Sequence, residues 1–113
     1  MMKWKFHPGA SEEYLEATRH YTEIDQKLGL AFVQCVELGI QQITETPLCW
    51  REIEEDIRRY LITRFPFGIY YTIENEFILI VSVMHMKRRP FYWRERTKRS
   101  RHKNPKAEHR ASA

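Results

Sequence analysis

The fold of this chain can be derived from residues 57–86, which read IRRYLITRFPFGIYYTIENEFILIVSVMHM. The stretch is rich in β-branched and aromatic residues, and two short groups of turn formers, FPFG and ENE, interrupt it. Three strands are therefore predicted, over residues 57–65, 67–73 and 77–86. Because both interruptions are short, consecutive strands must turn back as hairpins and form an antiparallel meander. Both alternating sets of side chains in the last strand are largely apolar, so we expect it to be the central strand.

Two helices precede this stretch, each marked by one stripe of apolar residues spaced three and four apart. The first stripe consists of Ala10, Tyr14, Ala17, Tyr21 and Ile24, and the second of Phe32, Val36, Gly39 or Ile40, and Ile43. Pro8 favours the first turn of the first helix, and Pro47 ends the second. We place the turn between them at Gly29, because glycine readily adopts the left-handed conformation that closes a helix. With so short a connection, the two helices must form an antiparallel hairpin.

The two ends of the chain differ in how they can fold. Residues 3–7 alternate charged and aromatic side chains, the pattern of a strand with one face on a core, and this strand can complete the sheet at an edge. The predicted fold is α+β, in the order β-α-α-β-β-β, with an antiparallel helical hairpin packed on an antiparallel sheet. Residues 1–96 form this single domain. Residues 97–113 contain no Leu, Ile, Val or aromatic residue and are expected to be a basic, disordered tail.

Composition and charge exclude several classes of protein. A chain of 113 residues, 42% hydrophobic and 30% charged, is typical of one globular domain. Its longest uncharged run, residues 77–86, is too short for a membrane span, and it has no apolar targeting stretch. With no CxxC pattern either, we expect a cytoplasmic protein in which Cys35 and Cys49 are reduced. Residues 1–85 hold 8 Lys and Arg against 13 Asp and Glu, a charge of −5, whereas residues 86–113 hold 11 against 2, a charge of +9. Such a basic pole favours encounter with a polyanion or an acidic protein.

Few catalytic signatures are present. The four glycines form no phosphate-binding loop, and the chain has no GxSxG, no HExxH and no zinc-spaced Cys and His. We therefore expect no cofactor and no metal site. The acidic run at Glu52, Glu54, Glu55 and Asp56 is interpreted as a solvated loop without a catalytic role.

One set of residues has the composition of a functional surface, with basic side chains interspersed with aromatic rings. It comprises Arg58, Arg59, Arg64, His85, Lys87, Arg88, Arg89, Tyr92, Trp93 and Arg96. Arginine binds phosphate in a bidentate manner, rings stack on bases, and a His or Tyr beside a scissile phosphate can move a proton. A structural interpretation stays open as well. In it Arg58 or Arg59 pairs with the acids that precede it, and His85 bonds to the backbone at the strand end. Tyr92 and Trp93 then pack the C-terminal segment on the sheet.

Several ordered motifs resemble those of the RelE/ParE superfamily of bacterial type II toxins. They are FHPGA at 6–10, LGLAF at 28–32, ITETP at 43–47, RRYL at 58–61, FPFGIYY at 65–71, IVSVMH at 80–85 and RRPFYW at 88–93. The resemblance covers residues 3–96 and implies the fold that periodicity already predicts. It also implies a small toxin that a cognate antitoxin neutralises, with an acidic antitoxin segment wrapped along the helical hairpin and the sheet edge.

Within the superfamily, the residues at the cleavage site distinguish two branches. RelE-like members cleave messenger RNA in the ribosomal A site with basic residues on the sheet and a C-terminal tyrosine, whereas ParE-like members are described as inhibitors of DNA gyrase. In this sequence Arg59 and Tyr92 match the nuclease pattern, but Leu61, Gly68 and Met86 stand where that pattern has basic residues. The ending of the domain resembles the ParE branch at His85, Arg89, Pro90, Tyr92, Trp93 and Arg96.

The resemblance thus implies a ParE-like protein without enzymatic activity that binds DNA gyrase. The expected target-binding residues are Arg59, Arg64, His85, Lys87, Arg88, Arg89, Tyr92, Trp93 and Arg96. The alternative is a RelE-like, metal-independent endoribonuclease that acts on messenger RNA at the ribosome. Its catalytic residues would be Arg59, His85, Arg88 and Tyr92. Neither alternative implies a membrane partner.

Overall fold

The computed structural model describes residues 2–87 and Arg96, and the predicted tail at residues 97–113 lies outside them. The elements are β1 (Lys3–Phe6), α1 (Pro8–Ile24), α2 (Gln26–Glu45), β2 (Glu52–Glu54), β3 (Ile57–Leu61), β4 (Phe67–Ile73) and β5 (Phe77–His85). The strands form a five-stranded sheet in the order β1-β5-β4-β3-β2, and the two helices pack as a hairpin on one of its faces. The predicted α+β class, with a helical hairpin on a sheet, is confirmed.

The sheet is mixed in its strand directions. The expected antiparallel pairing holds from β2 to β5 and does not hold at β1, which joins β5 in parallel with Lys3 opposite Phe77 and Phe6 opposite Ile80. No hairpin links β1 to β5, so a short turn does not dictate their relative direction. β5 has a neighbour on each side, as an inner strand should, although the middle strand of the five is β4.

Residues with left-handed backbone turn the chain on both sides of β3. Asp56 has a φ of 64° between β2 and β3, and its N–H donates to Oε2 of Glu52 at 2.9 Å. The acidic run is therefore partly an edge strand rather than a loop throughout, because Ile53 of β2 packs against the sheet. Arg64 has a φ of 78°, and β3 ends before this turn, at Leu61, earlier than predicted.

The turn between the helices lies at Asp25, not at Gly29 as predicted. Asp25 is extended, with φ −165° and ψ 129°, and its side chain accepts a hydrogen bond from the N–H of Lys27 at 2.9 Å, which caps α2. Gly29 lies inside α2 in close contact with Thr22 of α1, where a Cβ would collide. The glycine thus allows close approach of two helices instead of a turn. Ile24, at the end of α1, is 63% exposed and does not join the buried stripe.

The core has two layers, one on each face of the sheet. The larger layer lies between the helices and the sheet, and it contains the predicted residues Phe32, Val36, Ile40 and Ile43 of α2. The smaller layer lies on the opposite face and consists of Ile57, Tyr70, Leu79, Val81 and Met84.

A β-bulge in β5 changes the face that its side chains occupy. Two consecutive residues of β4 pair with Ser82 and Ile80, so Val81 between them has no pairing partner on β4. Before the bulge Leu79 and Val81 belong to the smaller layer, whereas Val83 after it belongs to the larger. The strict alternation expected along this strand is therefore wrong beyond Val81, with consequences for the residues at its end.

Two expectations about the chain as a whole can be compared with residues 2–87. Neither helix in this range is long and apolar enough to cross a membrane. Cys35 and Cys49 are both free thiols in the structure, the first half-buried and the second exposed.

Candidate functional site

One end of the sheet collects three of the predicted target-binding residues. There the loop between β3 and β4 meets the end of β5, because Phe67 pairs with His85 and the N–H of Met86 donates to the carbonyl of Pro66 at 2.8 Å. This arrangement brings Arg64 of the loop close to the strand end that carries His85 and Lys87. We call these three residues the basic end.

Arg64 is exposed at the basic end. Its guanidinium carbon lies 5.9 Å from the ring centroid of Phe65, which is itself buried at 8% exposure. The cation therefore lies at the rim of the aromatic core on an exposed residue. Lys87 is exposed as well. Both side chains are available to an acidic surface or a polyanion.

His85 is held by its neighbours at the strand end. Its ring centroid lies 5.2 Å from that of Phe67, and its Nδ1 accepts a hydrogen bond from the N–H of Lys87 at 3.0 Å. Accepting at Nδ1 places the proton of the neutral ring on Nε2. The contact agrees with the structural interpretation of a strand-end histidine bonded to backbone.

Arg59 lies on the other face of the sheet from His85. Its aliphatic stem covers Gly68, where an added Cβ would lie 3.3 Å from its Cγ and Cδ. Leu61 beside it is 54% exposed, and Met86 accepts a hydrogen bond at Sδ from the hydroxyl of Tyr70 at 3.8 Å. The surroundings of Arg59 are therefore apolar at Leu61, Gly68 and Met86, the positions where a nuclease resemblance requires basic residues.

The bulge explains why Arg59 and His85 are separated. Beyond Val81 the side chains of β5 exchange faces, so that Val83 and His85 lie on the α1 side with Phe67. Arg59 is on the face of the smaller layer, where it follows Ile57 at a spacing of two residues. The two residues are not brought together.

Arg58 is committed to the structure of the β2 hairpin. It donates to the carbonyls of Trp50 at 2.7 Å and Leu48 at 3.3 Å, and it forms an ion pair with Glu52 at 3.5 Å. The structural interpretation, in which an arginine of β3 pairs with a preceding acid, is confirmed for Arg58.

Arg96 also directs its guanidinium into the domain. Its Nη1 and Nη2 donate to Oε1 and Oε2 of Glu13 at 3.2 and 3.3 Å, and Nη1 donates to the carbonyl of Val81. The side chains of Arg96 and Glu13 are only 16% and 14% exposed. The sequence singles out Arg96 but not Glu13. Glu12, Glu13 and Glu16 lie close together in the first half of α1, and the bulge that brings one of them to β5 leaves no mark in the pattern of residues.

The remaining predicted site residues are Arg88, Arg89, Tyr92 and Trp93, which lie outside the described residues. Among those that are described, no group of three or more His, Cys, Asp or Glu is placed to hold a metal ion.

A second surface lies between β1 and α2. An open groove of about 510 Å³ is lined by Trp4, Val33, Gln34, Glu37, Leu38, Ile40, Gln41 and Thr44. Trp4 is 37% and Leu38 51% exposed, so large apolar side chains face solvent here. Within residues 2–87 β1 is also an edge strand, with its outer side unpaired. We call this surface the β1–α2 groove.

Two tyrosine hydroxyls hold the domain together, one between the helices and one between β4 and the segment that follows α2. Tyr71 is fully buried, and its hydroxyl donates to the carbonyl of Pro47 at 2.6 Å. Burial raises the pKa of Tyr71 to about 12, although Arg58 nearby acts in the opposite direction. Burial, and then its hydrogen bond to Glu37 at 2.9 Å, raises the pKa of Tyr14 as well. These hydroxyls stay protonated and serve the packing rather than proton transfer.

Comparisons with known proteins agree with this architecture. A family model described as the ParE toxin of the type II toxin-antitoxin system parDE matches residues 5–90. A solved structure titled "Chromosomal ParDE TA system from P. aeruginosa" matches with a TM-score of 0.60 and 17% identity, over 75% of this chain and 96% of that one. At this identity the structural match bears on the fold alone. No curated protein matches the chain.

Proposed function

Because the chain belongs to the ParE toxin family of type II toxin-antitoxin systems, we propose that it is a toxin that binds and inhibits DNA gyrase. We propose further that a cognate antitoxin neutralises it by covering the β1–α2 groove. The toxin acts by contact and performs no chemistry on its target.

The apolar surroundings of Arg59 are the main support for contact rather than catalysis. Cleavage of RNA requires positive charge placed within about an ångström of the reacting phosphate. Leu61, Gly68 and Met86 supply none beside Arg59, and the bulge puts His85 on the opposite face. An arginine whose neighbours on the sheet face are apolar is suited to binding a partner.

The basic end supplies the charged part of the contact surface. Arg64 and Lys87 are exposed and belong to a chain whose C-terminal quarter is strongly basic. Such cations accelerate encounter with an acidic protein surface and contribute to affinity when the contact is desolvated. Arg88, Arg89, Tyr92 and Trp93 follow Lys87 directly in the chain, and we assign them to the same contact.

The β1–α2 groove supports the second part of the proposal. An amphipathic helix can insert apolar side chains between Trp4 and Leu38, and an extended segment can pair with the outer side of β1. Lys3 and Lys5 are exposed on β1 and suit acidic residues in that segment. The groove is a different surface from the basic end. An antitoxin bound in the groove therefore need not contact the residues assigned to gyrase.

A supercoiling assay tests the gyrase proposal directly. The purified chain should block supercoiling by gyrase, and in cells DNA synthesis should fall before protein synthesis when the chain is induced alone. Lys87→Gln should weaken inhibition, whereas Arg51→Gln, an exposed arginine beside β2, should not. Early arrest of translation with intact supercoiling, or cleaved messenger RNA, would refute the proposal and favour the endoribonuclease.

The role of the groove is tested by measuring antitoxin binding and gyrase inhibition for two variants of the chain. Leu38→Glu places a charge in the β1–α2 groove and should weaken capture by the antitoxin while the variant still inhibits gyrase. Leu48→Glu is the matched control, since Leu48 is 72% exposed and lies outside the groove. Equal loss of antitoxin binding in both variants would contradict the assignment of the groove.

A further inference from the structure

A guanidinium-binding site is built into the domain beside the bulge of β5. It is formed by Gly9 at the start of α1, the carboxylate of Glu13 one turn later, and the carbonyl of Val81. The guanidinium of Arg96, which follows β5 in the sequence, occupies this site. Both charged side chains are largely withdrawn from water, so the pair has the character of an internal contact.

The bulge is the reason that Glu13 reaches β5. Oε1 of Glu13 accepts from the N–H of Val83 at 3.0 Å and from the hydroxyl of Ser82 at 2.9 Å, in addition to Nη1 of Arg96. The bulge turns these two donors toward α1, and the carboxylate satisfies them. The carboxylate is therefore fixed in place before any guanidinium binds.

Gly9 provides the space for the guanidinium. A Cβ at this position would collide with the Cζ and nitrogen atoms of Arg96. None of the glycines among the described residues has a positive φ, so the backbone at Gly9 does not itself require glycine. Glycine is also a poor helix former. The absence of a side chain here is explained by the room that Arg96 needs.

The shape of the site selects arginine over lysine. Two nitrogens of one guanidinium meet the two oxygens of one carboxylate, and one of them also meets a carbonyl. An ammonium group has no planar fork and cannot make this set of contacts.

The site joins two parts of the chain that are separated by the predicted contact residues. β5 ends at His85, and Arg96 reattaches the chain to the same strand at Val81. The eight residues that join Lys87 to Arg96 include Arg88, Arg89, Tyr92 and Trp93, which the proposed function assigns to target contact.

We propose that Gly9, Glu13 and the Val81 carbonyl form a guanidinium-binding site through which Arg96 anchors the C-terminal contact residues to β5. Arg96 is then a positioning residue and not itself a contact with gyrase. The existence of the site is independent of the target, whereas its role in inhibition rests on the proposed function.

The site itself is tested with a free guanidinium. In Arg96→Ala the site is vacated, and ethylguanidinium should bind and shift the NMR signal of the Val83 amide. The wild-type chain, with its site occupied, should not respond, and neither should Arg96→Ala combined with Glu13→Gln. An equal response in all three proteins would overturn the proposed site. Circular dichroism confirms that each variant is folded.

The anchoring role is tested by gyrase inhibition in a variant that keeps both charges. Gly9→Ala fills the space of the guanidinium and so displaces it, and inhibition is compared under conditions in which urea denaturation shows the variant to be fully folded. We expect inhibition about tenfold weaker, because Arg96 no longer attaches the chain beyond β5 to that strand. Glu12→Gln, which alters an exposed glutamate next to Glu13, is the control and should inhibit like the wild-type chain. Unchanged inhibition by Gly9→Ala would refute the anchoring role.

Ethylguanidinium also separates anchoring from stabilisation of the domain. It fills the vacated site of Arg96→Ala without carrying the chain, so it should bind and yet not restore gyrase inhibition. Restored inhibition would mean that Arg96 only stabilises the fold, which would overturn the anchoring proposal. If the wild-type chain does not inhibit gyrase at all, the proposed function fails, and the binding experiment still decides whether the site exists.

Discussion

The molecule uses its arginines in two contrasting ways in two regions. At the basic end Arg64 is exposed and lies beside the ring of Phe65. At the β2 hairpin and beside the β5 bulge, Arg58 and Arg96 donate to backbone carbonyls and pair with Glu52 and Glu13. Under the proposed function the first region serves recognition and contributes little to stability, whereas removing a partner in the second region should destabilise the fold.

This difference shows how far charge composition can be used to infer a binding surface. Five of the predicted target-binding residues lie among the described residues, namely Arg59, Arg64, His85, Lys87 and Arg96. Only Arg64 and Lys87 present charge freely to solvent, whereas His85 packs on Phe67 and Arg96 is withdrawn into the domain. Counting basic residues in the sequence therefore overestimates the size of the binding surface. The contacts of each basic side chain in the structure show whether it is available to a partner.

The largest expected effect comes from removing the carboxylate beside the bulge. Glu13→Ala leaves the guanidinium of Arg96 and the donors of Ser82 and Val83 without their acceptor. We expect the free energy of unfolding to fall by about 3 kcal/mol, the range for breaking a buried pair, as measured by urea denaturation. Glu12→Ala should change it by less than about 0.5 kcal/mol, since that side chain is exposed. An equal loss of stability in both variants would show that the ion pair of Arg96 contributes no more than an exposed one.

A smaller loss is expected at the β2 hairpin. Arg58→Met keeps much of the side-chain volume but removes the hydrogen bonds to Trp50 and Leu48 and the ion pair to Glu52. Because the Arg58 side chain is 22% exposed, water compensates part of the loss, and we expect about 1.5 kcal/mol by urea denaturation. Arg51→Met, at an exposed position of the same region, is the control. A variant Arg58→Met as stable as that control would show that the hairpin does not depend on these contacts.

The sequence predicts the parts of this fold that depend on periodicity. The helical stripe from Phe32 to Ile43 and the strands at residues 67–73 and 77–85 follow from spacing and residue type alone. The turn at Asp25 does not, because Gly29 is as good a signal for a turn as for a close contact between helices. The parallel pairing of β1 is set by tertiary packing, which no local pattern records.

The candidate site is less predictable for a related reason. The bulge at Val81 depends on how β4 and β5 pair, and it decides that His85 and Arg59 lie on opposite faces. It also decides that Glu13, among neighbouring glutamates, is the one that meets Arg96. One inserted residue in a strand thus reassigns several side chains at once, and strict alternation in the sequence hides it.

The contribution of the buried Tyr71 hydroxyl to stability should depend on pH. Its buried hydroxyl donates to Pro47, and Tyr71→Phe should cost about 1 kcal/mol of stability at neutral pH. Burial raises the pKa of Tyr71 to about 12, above its ordinary value of 10.0, so the contribution is complete below pH 10 and is lost as the pH rises toward 12. Urea denaturation across this interval should show a shallower decline for Tyr71→Phe than for the wild-type chain. Parallel curves would contradict the assignment.

The smallest effect on stability, and the sharpest contrast between the two regions, is expected at Arg64. Its φ of 78° is a conformation that glycine adopts freely and a long side chain does not. Arg64→Gly should therefore stabilise the chain by about 0.5 kcal/mol while weakening gyrase inhibition, because the exposed cation is lost. Asp56→Gly is the matched control, with a φ of 64° at the opposite end of β3. It changes the turn at the other end of β3 without removing a cation, and it should inhibit gyrase like the wild-type chain. If Arg64→Gly keeps full inhibition, the arginine at this position does not contact gyrase. If both variants lose inhibition equally, inhibition depends on the shape of the turns beside β3 and not on the charge of Arg64.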